Sequence, residues 1–393
     1  MKSQILLKQE KFWDSKIMTF KQEILNTFSK KKSHQIVFSP RLYYWYFGNK
    51  IYSRLKKNYS VGVPPQYYGK SQLDIYKELN VSPRYAEETL YLPLYSTRFS
   101  AGSQIKVQTE HGTKEGETIT IHKTPHGTLK YKESIGGGLG GHKTEYPIKS
   151  LDDINIMRYI MENTNFSFLK ENYKIADKQF DDICVTSTYL MKSPYQKLVT
   201  ELMGFTRTIL YLKKYPSQIE NFMVFLEDWD NEMYKQISDS PLEIVNFGEN
   251  LDSNLSPPHY FEKYLVPYYE KRVKQLHQAG KYCHIHIDGS LKDFLPYLEL
   301  LNFDGFEALT AKPQGDVTLE EIKDAIGNKI FLDGLPSILF LQEYSWDYLE
   351  KYTQKVLNLF APNLILGVSD ELSPNGNIQK IIKISEIVNV FNN

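Results

Sequence analysis

The chain contains little of what would assign it to a secreted or membrane class. Its 393 residues include two cysteines, Cys184 and Cys283, which are far apart. That count excludes a disulfide framework and favours a reduced, cytoplasmic setting. No run approaches ~18 uncharged apolar residues, so the sequence predicts no membrane-spanning helix. The amino-terminal stretch is interrupted by charges every few residues, and we therefore expect no signal peptide.

The chain also lacks an excess of charge of either sign. Lys+Arg and Asp+Glu both number 47, which gives a formal net charge of zero. Binding to nucleic acid depends on basic residues that neutralise phosphates, so we expect no nucleic-acid partner. The hydrophobic share of 41% is ordinary for a globular protein. We expect a small-molecule substrate, and the oligomeric state stays open.

From Asp181 onward, short apolar segments alternate with longer amphipathic ones. The short segments predict strands at 244–247, 282–288, 305–309, 329–335 and 363–370, with two further strands at 36–42 and 182–190. Between two of them, apolar side chains in 260–276 recur every three or four residues, which is typical of a helix packed on a sheet. This alternation predicts an α/β fold with a parallel sheet, and its size approaches that of a (β/α)8 TIM barrel.

The residues outside this pattern predict two additions to the barrel. Residues 1–35 are assigned to an N-terminal helical lead-in, and residues 36–393 to a single barrel domain. Within the barrel, residues 105–148 alternate with period two around a His126-Gly127 turn and contain a glycine run at 136–141. We interpret them as a β-hairpin insertion with a mobile tip. A phosphate-binding loop is disfavoured, because His142 separates the glycines from Lys143.

The stretch CHIHIDGSL, residues 283–291, carries the densest polar chemistry. Alternate side chains of a barrel strand face inward, so His284, His286 and Asp288 share one face. His286 and Asp288 lie at the carboxyl end of the predicted strand, where barrel active sites are found. Asp370 and Glu307 lie at the ends of two other predicted strands. In a barrel, His286, Asp288, Asp370 and Glu307 would therefore converge on one barrel mouth. Imidazole and carboxylate groups suit a divalent cation such as zinc.

A structural role for the same residues stays open. A strand histidine is often a hydrogen-bonded core residue, and Asp288 is a candidate N-cap for a helix in SLKDFLPYLELL. His284, one layer deeper, is expected to act as a hydrogen-bonding partner. Cys283 faces outward, where we expect a buried and unreactive thiol.

Several segments together resemble the uroporphyrinogen decarboxylase superfamily, which includes zinc- and cobamide-dependent methyltransferases. The stretch HIDGSLKDFLPYLELLNFDGFEALT resembles its His-X-Cys-Gly segment, and three more segments look like its helix entry, sixth strand and closing strand: NFGENLDSNLSPPHYFEKYLVPYYEK, GDVTLEEIKDAIGNKIFLDGLPS and LILGVSDELSPNGNIQKI. VFSPRLYYWY stands where the family carries its first-strand motif. The resemblance covers roughly residues 36–390 and implies a TIM barrel.

The resemblance implies a metal site with altered ligands. In the methyltransferases, the histidine and cysteine of His-X-Cys-Gly and a later cysteine bind zinc; the matching positions here are His286, Asp288 and Asp370. The histidine is kept, while both thiolates are replaced by carboxylates, which are harder ligands. Glu249 or Glu307 is expected to complete the shell. The resemblance also implies methyl transfer that involves a corrinoid on a partner protein.

The resemblance to the decarboxylase itself is weaker. That enzyme carries several arginines after its first strand, whereas this chain offers Arg41, with Arg54 out of register. A substrate with many carboxylates needs several cations, so decarboxylation of uroporphyrinogen is disfavoured. We assign Arg41, Tyr44, Trp45 and Asn250 to substrate binding, although packing on the barrel equally explains the aromatic cluster.

Three functional hypotheses follow. The first is metal-assisted one-carbon transfer, with Asp288, Asp370 and Glu307 as catalytic residues and His286, Asp288, Asp370 and Glu249 around a zinc-like ion. The second is a metal-independent decarboxylase, in which Asp288 or Asp370 stabilises a protonated intermediate. The third is a non-catalytic corrinoid- or tetrapyrrole-binding protein.

Overall fold

The computed structural model describes residues 18–31, 35–55, 64–114, 116–135 and 141–393. Much of the predicted lead-in, residues 1–17 and 32–34, lies outside the described residues. So does the glycine run 136–140, and with it the predicted hairpin tip.

The described residues contain thirteen strands that form three sheets. In chain order they are β1 Val37–Phe38, β2 Tyr95–Phe99, β3 Lys106–His111, β4 Glu117–Thr124, β5 Gly127–Ile135, β6 Gly141–Glu145, β7 Thr164–Phe168, β8 Tyr189–Leu190, β9 Ile244–Leu251, β10 Tyr282–Ile287, β11 Gly305–Glu307, β12 Ile330–Pro336 and β13 Leu364–Ser369.

Helices connect most of these strands. They are α1 Phe20–Phe28, α2 Tyr43–Leu55, α3 Gln72–Leu79, α4 Ala86–Leu90, α5 Asp152–Glu162, α6 Lys170–Phe180, α7 Pro194–Lys197, α8 Phe205–Lys214, α9 Pro216–Ser238, α10 Pro258–Tyr260, α11 Val266–Gln278, α12 Leu295–Leu298, α13 Leu319–Ile326, α14 Trp346–Phe360 and α15 Ile378–Asn392. Within the described ranges, no helix combines the length and apolarity needed to cross a membrane.

The main sheet has the order of a (β/α)8 barrel. Seven parallel strands follow one another as β1-β13-β12-β11-β10-β9-β8, and the predicted strand segments all contribute to them. The eighth position is filled by the irregular segment 81–86. Ser82 N–H donates to Phe38 O on one edge (3.0 Å), and Ala86 N–H donates to Ser187 O on the other (3.4 Å). Pro83 breaks the ladder here, because proline has no backbone donor.

Helix α1 covers the amino-terminal end of the barrel. Its Ile24 and Phe28 are buried in one cluster with residues at or near the amino-terminal ends of the barrel strands: Val37, Val185, Ile244, Ile330, Leu332 and Ile365. Thr19 caps the helix through a reciprocal capping box with Gln22. The described part of the lead-in therefore closes the amino-terminal end of the barrel. The carboxyl ends of the strands, at the opposite end, are available to form a functional site.

The predicted insertion contains a four-stranded antiparallel sheet, β3-β4-β5-β6. It is larger than a single hairpin, and the antiparallel pair β2 and β7 flanks it on both sides in the chain. The turn between β4 and β5 contains His126 and Gly127, as the sequence predicts.

Candidate active site

The centre of the site is a contact between a histidine and a glutamate on neighbouring strands. His286 on β10 pairs in register with Glu307 on β11, and both side chains enter the barrel interior. His286 Nδ1 lies 2.7 Å from Glu307 Oε2. Because an ionised carboxylate only accepts hydrogen bonds, Nδ1 carries the proton and donates it, which leaves Nε2 as the nitrogen available for other chemistry.

Glu307 accepts hydrogen bonds from four side chains. Its Oε1 accepts from Arg84 (2.7 Å) and from the Tyr85 hydroxyl (2.5 Å), and its Oε2 accepts from Asn246 (2.6 Å) as well as from His286. Burial opposes ionisation, but the His286 hydrogen bond and the guanidinium groups of Arg41 and Arg84 hold the pKa of Glu307 well below its usual value. The group is therefore a saturated, ionised carboxylate.

Arg84 joins this carboxylate to a second one. The same guanidinium nitrogen that contacts Glu307 also lies 2.7 Å from Asp333 Oδ1, and the other terminal nitrogen donates to Ser39 O at 2.9 Å. Burial raises the pKa of Asp333 to about 6, against the opposing charge of Arg84. The network is fully enclosed within the barrel.

Asp370 reaches the other nitrogen of His286. Asp370 follows β13, and its Oδ1 lies 3.7 Å from His286 Nε2. The same oxygen lies 3.5 Å from Arg41, whose guanidinium also contacts Glu88 (2.6 Å) and Glu371 (3.1 Å). The structure thus brings His286, Glu307, Asp370 and Arg41 together. Because Arg41 is paired with these carboxylates, a substrate anion would have to displace one of them to bind it.

Asp288 lies beside this cluster but is not drawn into it. It is half-buried, and burial together with the charge of Asp370 raises the pKa of its carboxyl group, with His286 opposing. It does not cap the following helical turn: Asp316 accepts the backbone hydrogen bonds of Leu291 and Lys292 instead. The N-cap interpretation of Asp288 is therefore wrong.

A bulge in β9 redirects Glu249 and Asn250. The register between β9 and β10 shifts in this region, which re-aims side chains. Glu249 turns to Ser193, whose N–H (2.7 Å) and hydroxyl (2.8 Å) donate to its two oxygens. Burial raises the pKa of Glu249 to about 7. Asn250 is exposed. The structure brings neither side chain into contact with His286.

The two predicted aromatic residues are separated by the helix that carries them. Tyr44 N–H donates to Glu371 at 3.0 Å, and burial with the charges of Asp370 and Glu371 raises the pKa of Tyr44 to about 12. Trp45 is 1% exposed and packs edge-on against Tyr67 at a ring distance of 6.1 Å. Consecutive residues of a helix point in different directions, so only Tyr44 faces the cluster.

His284 lies one layer below His286, as predicted, and the expected hydrogen bond is absent at its Nδ1, which is buried and has no hydrogen-bond partner among the described residues. Its ring is 5.9 Å from that of Phe28 and 6.4 Å from that of Tyr85. Burial lowers the pKa of His284 to about 4, so the ring is neutral. Cys283 is buried on the outer face, as expected.

Left-handed backbone conformations are concentrated at the same end of the barrel. Asn250, Ala308, Asp333 and Asp370, on or just after four different strands, have φ values of 52°, 64°, 86° and 65°. Such conformations strain a residue other than glycine and tend to occur at functional sites. The strain supports a functional role for this end of the barrel.

The residues fit a divalent cation in part. His286 offers a free Nε2 oriented by Glu307, which is the arrangement seen in carboxylate–histidine–metal sites, and Asp370 is within reach. Among the described residues, however, the group whose ligand atoms all lie within 4.8 Å of one another is His277, Cys283 and Asp304. His286, Asp288 and Asp370 do not form such a group, so a cation would require the Asp288 side chain to turn inward.

Comparison with known proteins agrees with this architecture. The family model described as uroporphyrinogen decarboxylase (URO-D) matches residues 133–391, well over half of the chain. The chain belongs to the uroporphyrinogen decarboxylase family. The matched residues include His286, Glu307, Asp333 and Asp370. No curated protein sequence matches the chain.

Solved structures with a similar fold align over nearly the whole chain. A methyltransferase from Methanosarcina mazei aligns with a TM-score of 0.59 and 12% identity, over 96% of this chain and 100% of that one. A B12-independent methionine synthase from Shewanella sp. W3-18-1 aligns with a TM-score of 0.47 and 11% identity, over 91% and 97%. The first likeness supports the (β/α)8 fold.

Sequence reasoning missed several residues of this candidate site. Arg84 and Tyr85 were missed because Pro83 interrupts the strand pattern of segment 81–86. Asn246 and Asp333 lie inside predicted strands, and a polar residue in an apolar strand was the signal that could have found them. Glu88 and Tyr189 contact Arg41 and had no distinguishing sequence signal.

Proposed function

We propose that this chain is a metal-assisted methyltransferase of the URO-D family. The observation that carries the proposal is the free Nε2 of His286, oriented by Glu307 through Nδ1 and lying 3.7 Å from Asp370. In the proposed site, His286 Nε2 and Asp370 hold a zinc-like divalent ion, and Asp288 turns inward as a third ligand. Bound there, the ion would act as a Lewis acid on the methyl acceptor.

The remaining residues would position the reactants. Glu307 keeps the proton on Nδ1 of His286, and Arg84 with Asn246 keeps Glu307 ionised. Arg41, 3.5 Å from Asp370 Oδ1, would hold that carboxylate in place. Tyr44, beside Asp370 and Glu371, would line the entrance and contact an apolar part of the substrate. The methyl group would come from or go to a corrinoid carried by a partner protein docked over the strand carboxyl ends.

Elemental analysis of protein purified without a histidine tag or chelator tests this proposal. We expect the wild type to hold one divalent equivalent more than Asp370→Ala or Asp288→Ala. Asp293→Ala changes an exposed carboxylate in the loop after β10 and serves as the matched control, with the wild-type metal content. Equal metal content in all four folded proteins would reject the metal site. If the metal site is present, Asp370→Ala and Asp288→Ala should also lose methyl transfer from methylcobalamin to thiols, and Asp293→Ala should retain it.

A metal-independent carboxy-lyase is the second candidate, supported by two raised pKa values. Burial raises the pKa of Asp288, and the hydrogen bond to Glu307 raises the pKa of His286 although burial opposes it. Each group therefore keeps its proton to a higher pH than an ordinary side chain of its type, as a general acid requires. When the substrate's carboxylate leaves as carbon dioxide, the electron pair left on carbon would take that proton. This candidate predicts activity that survives chelators and is lost in Asp288→Asn.

A further inference from the structure

A second cluster of metal-binding residues lies on the outer face of β10. His277 is in the last turn of α11, Cys283 points outward from β10, and Asp304 immediately precedes β11. His277 Nε2 lies 2.9 Å from Asp304 Oδ2 and 3.8 Å from Cys283 Sγ. All three ligand atoms fall within 4.8 Å of one another.

These separations suit a single tetrahedral ion. Zinc binds sulfur at about 2.3 Å and nitrogen or oxygen at about 2.0–2.2 Å, so the ligand atoms of a tetrahedral site are separated by about 3–4 Å. Thiolate, imidazole and carboxylate together match zinc better than magnesium or calcium, which prefer oxygen ligands alone. One thiolate and one carboxylate also balance the two charges of the ion.

The main chain already fixes the three positions. Asp304 N–H donates to Cys283 O (2.9 Å), and Ile330 N–H donates to Asp304 O (2.9 Å), so Asp304 is anchored to β10 and β12. Asp304 Oδ2 also accepts the Cys283 N–H (2.7 Å), which holds the carboxylate beside the thiol and the imidazole. Gly280 N–H donates to His277 O and secures the end of the helix (2.9 Å).

One side of the cluster opens to solvent. Cys283 is buried and Asp304 is half-buried, but His277 is exposed and lines a surface cavity with Glu270, Lys274, Gln278 and Asn302. An ion could enter from this cavity, and water could supply the fourth ligand. As the ion binds, the thiol proton of Cys283 would leave to solvent, and the Nε2 proton that His277 donates to Asp304 would move to Nδ1 or to solvent.

We propose that His277, Cys283 and Asp304 form a structural zinc site that joins α11 to β10 and β11 behind the candidate active site. The site is separate from the one proposed inside the barrel, because β10 lies between them: His286 faces the interior, and Cys283 faces the helices. The bound zinc would fix the position of β10, the strand that carries His286.

Cobalt substitution tests this proposal independently of the barrel site. Cobalt(II) bound to a thiolate gives a ligand-to-metal charge-transfer band in the near ultraviolet, and the barrel site of His286, Asp288 and Asp370 contains no sulfur. We expect the wild type and Asp370→Ala to show the band on titration with cobalt(II), and Cys283→Ser to lose it. Cys184→Ser should retain it, because Cys184 is buried elsewhere and its thiol contacts Pro83 O.

His277→Gln should fold like the wild type, because the His277 side chain is on the surface. We expect its cobalt affinity to fall at least tenfold, because one of three protein ligands is lost, while its circular dichroism spectrum stays that of the wild type. Absence of the band from folded wild-type protein would overturn the proposal. So would a band that survives Cys283→Ser, or an affinity unchanged in His277→Gln.

Discussion

His286 donates from Nδ1 to Glu307 Oε2 over 2.7 Å, and this contact decides which nitrogen of the imidazole faces the barrel mouth. Glu307 can do so because Arg84, Tyr85 and Asn246 fill its remaining acceptor positions and keep it ionised. The orientation of His286, a proposed metal ligand, therefore depends on Glu307 on β11, on Asn246 on β9, and on Arg84 and Tyr85 in segment 81–86.

Replacing Glu307 with glutamine should weaken metal binding at the barrel site. The glutamine amide would present a donor to two existing donors, His286 Nδ1 and Asn246 Nδ2, and the imidazole would lose its fixed orientation. Substitution of such a supporting carboxylate typically costs about 10–100-fold in metal affinity. Isothermal titration with zinc, in a Cys283→Ser background that removes the outer cluster, measures the change.

Asp333→Asn is the control for that experiment. Asp333 shares Arg84 with Glu307 but does not contact His286. Its zinc affinity should stay within about threefold of the parent value. Equal affinity in folded Glu307→Gln protein would show that Glu307 does not orient the metal ligand.

Removing the buried arginine should destabilise the barrel strongly. Arg84 is 7% exposed and lies between Glu307 and Asp333, so Arg84→Met removes the cation that these two buried carboxylates share. Breaking such a cluster costs about 3–5 kcal/mol in the free energy of unfolding. Urea denaturation measures the loss, and Arg98→Met, on an exposed strand position, should cost less than about 1 kcal/mol.

The double variant Arg84→Met, Asp333→Asn separates the charge from the packing. It removes one stranded carboxylate together with its cation, so its loss should be smaller than that of Arg84→Met alone. A double variant less stable than the sum of the two single changes would contradict the electrostatic explanation.

The barrel could be predicted from the sequence because its strands are short apolar runs between amphipathic helices. Periodicity reports which side chains are buried together, and 282–288 and 363–370 are clear examples. It does not report a strand interrupted by proline, so the segment 81–86 was missed. That omission hid Arg84, the residue that holds Glu307 and Asp333 together.

The position of a side chain could be predicted where its strand is regular and could not be predicted where its strand is bulged. His286 and Glu307 lie on regular, paired strands, and alternation placed both of them inside the barrel. Glu249 and Asn250 lie in a bulge of β9, and the spacing of residues in the sequence does not show where a strand bulges. Trp45 and Tyr44 are adjacent in sequence, but on the helix Trp45 points into the core and Tyr44 points toward the barrel mouth.

The contact of α1 with the barrel floor should contribute substantially to stability. Phe28 is 2% exposed, and its ring lies 5.9 Å from those of Tyr282 and His284. Phe28→Ala should lower the free energy of unfolding by about 3–5 kcal/mol, while Leu25→Ala, half-buried on the same helix, should cost less. The cavity would also admit water to His284, so its pKa, now about 4, should rise toward 6.5 in an NMR titration. An unchanged His284 pKa would show that the helix does not shield the ring.

Glu249 should make the protein less stable as the pH rises toward neutrality. Burial raises its pKa in the folded state to about 7, from an ordinary value of 4.5. Between these values the folded protein holds a proton that the unfolded chain has released, so the free energy of unfolding falls as the pH increases. Glu249→Gln cannot titrate and keeps an acceptor for Ser193. Its stability relative to the wild type should therefore improve between pH 4.5 and 7.5, by at most about 3 kcal/mol. Urea denaturation at several pH values measures this difference, with the exposed Glu243→Gln as the control. Parallel pH profiles for wild type and Glu249→Gln would mean that Glu249 stays ionised in the folded protein.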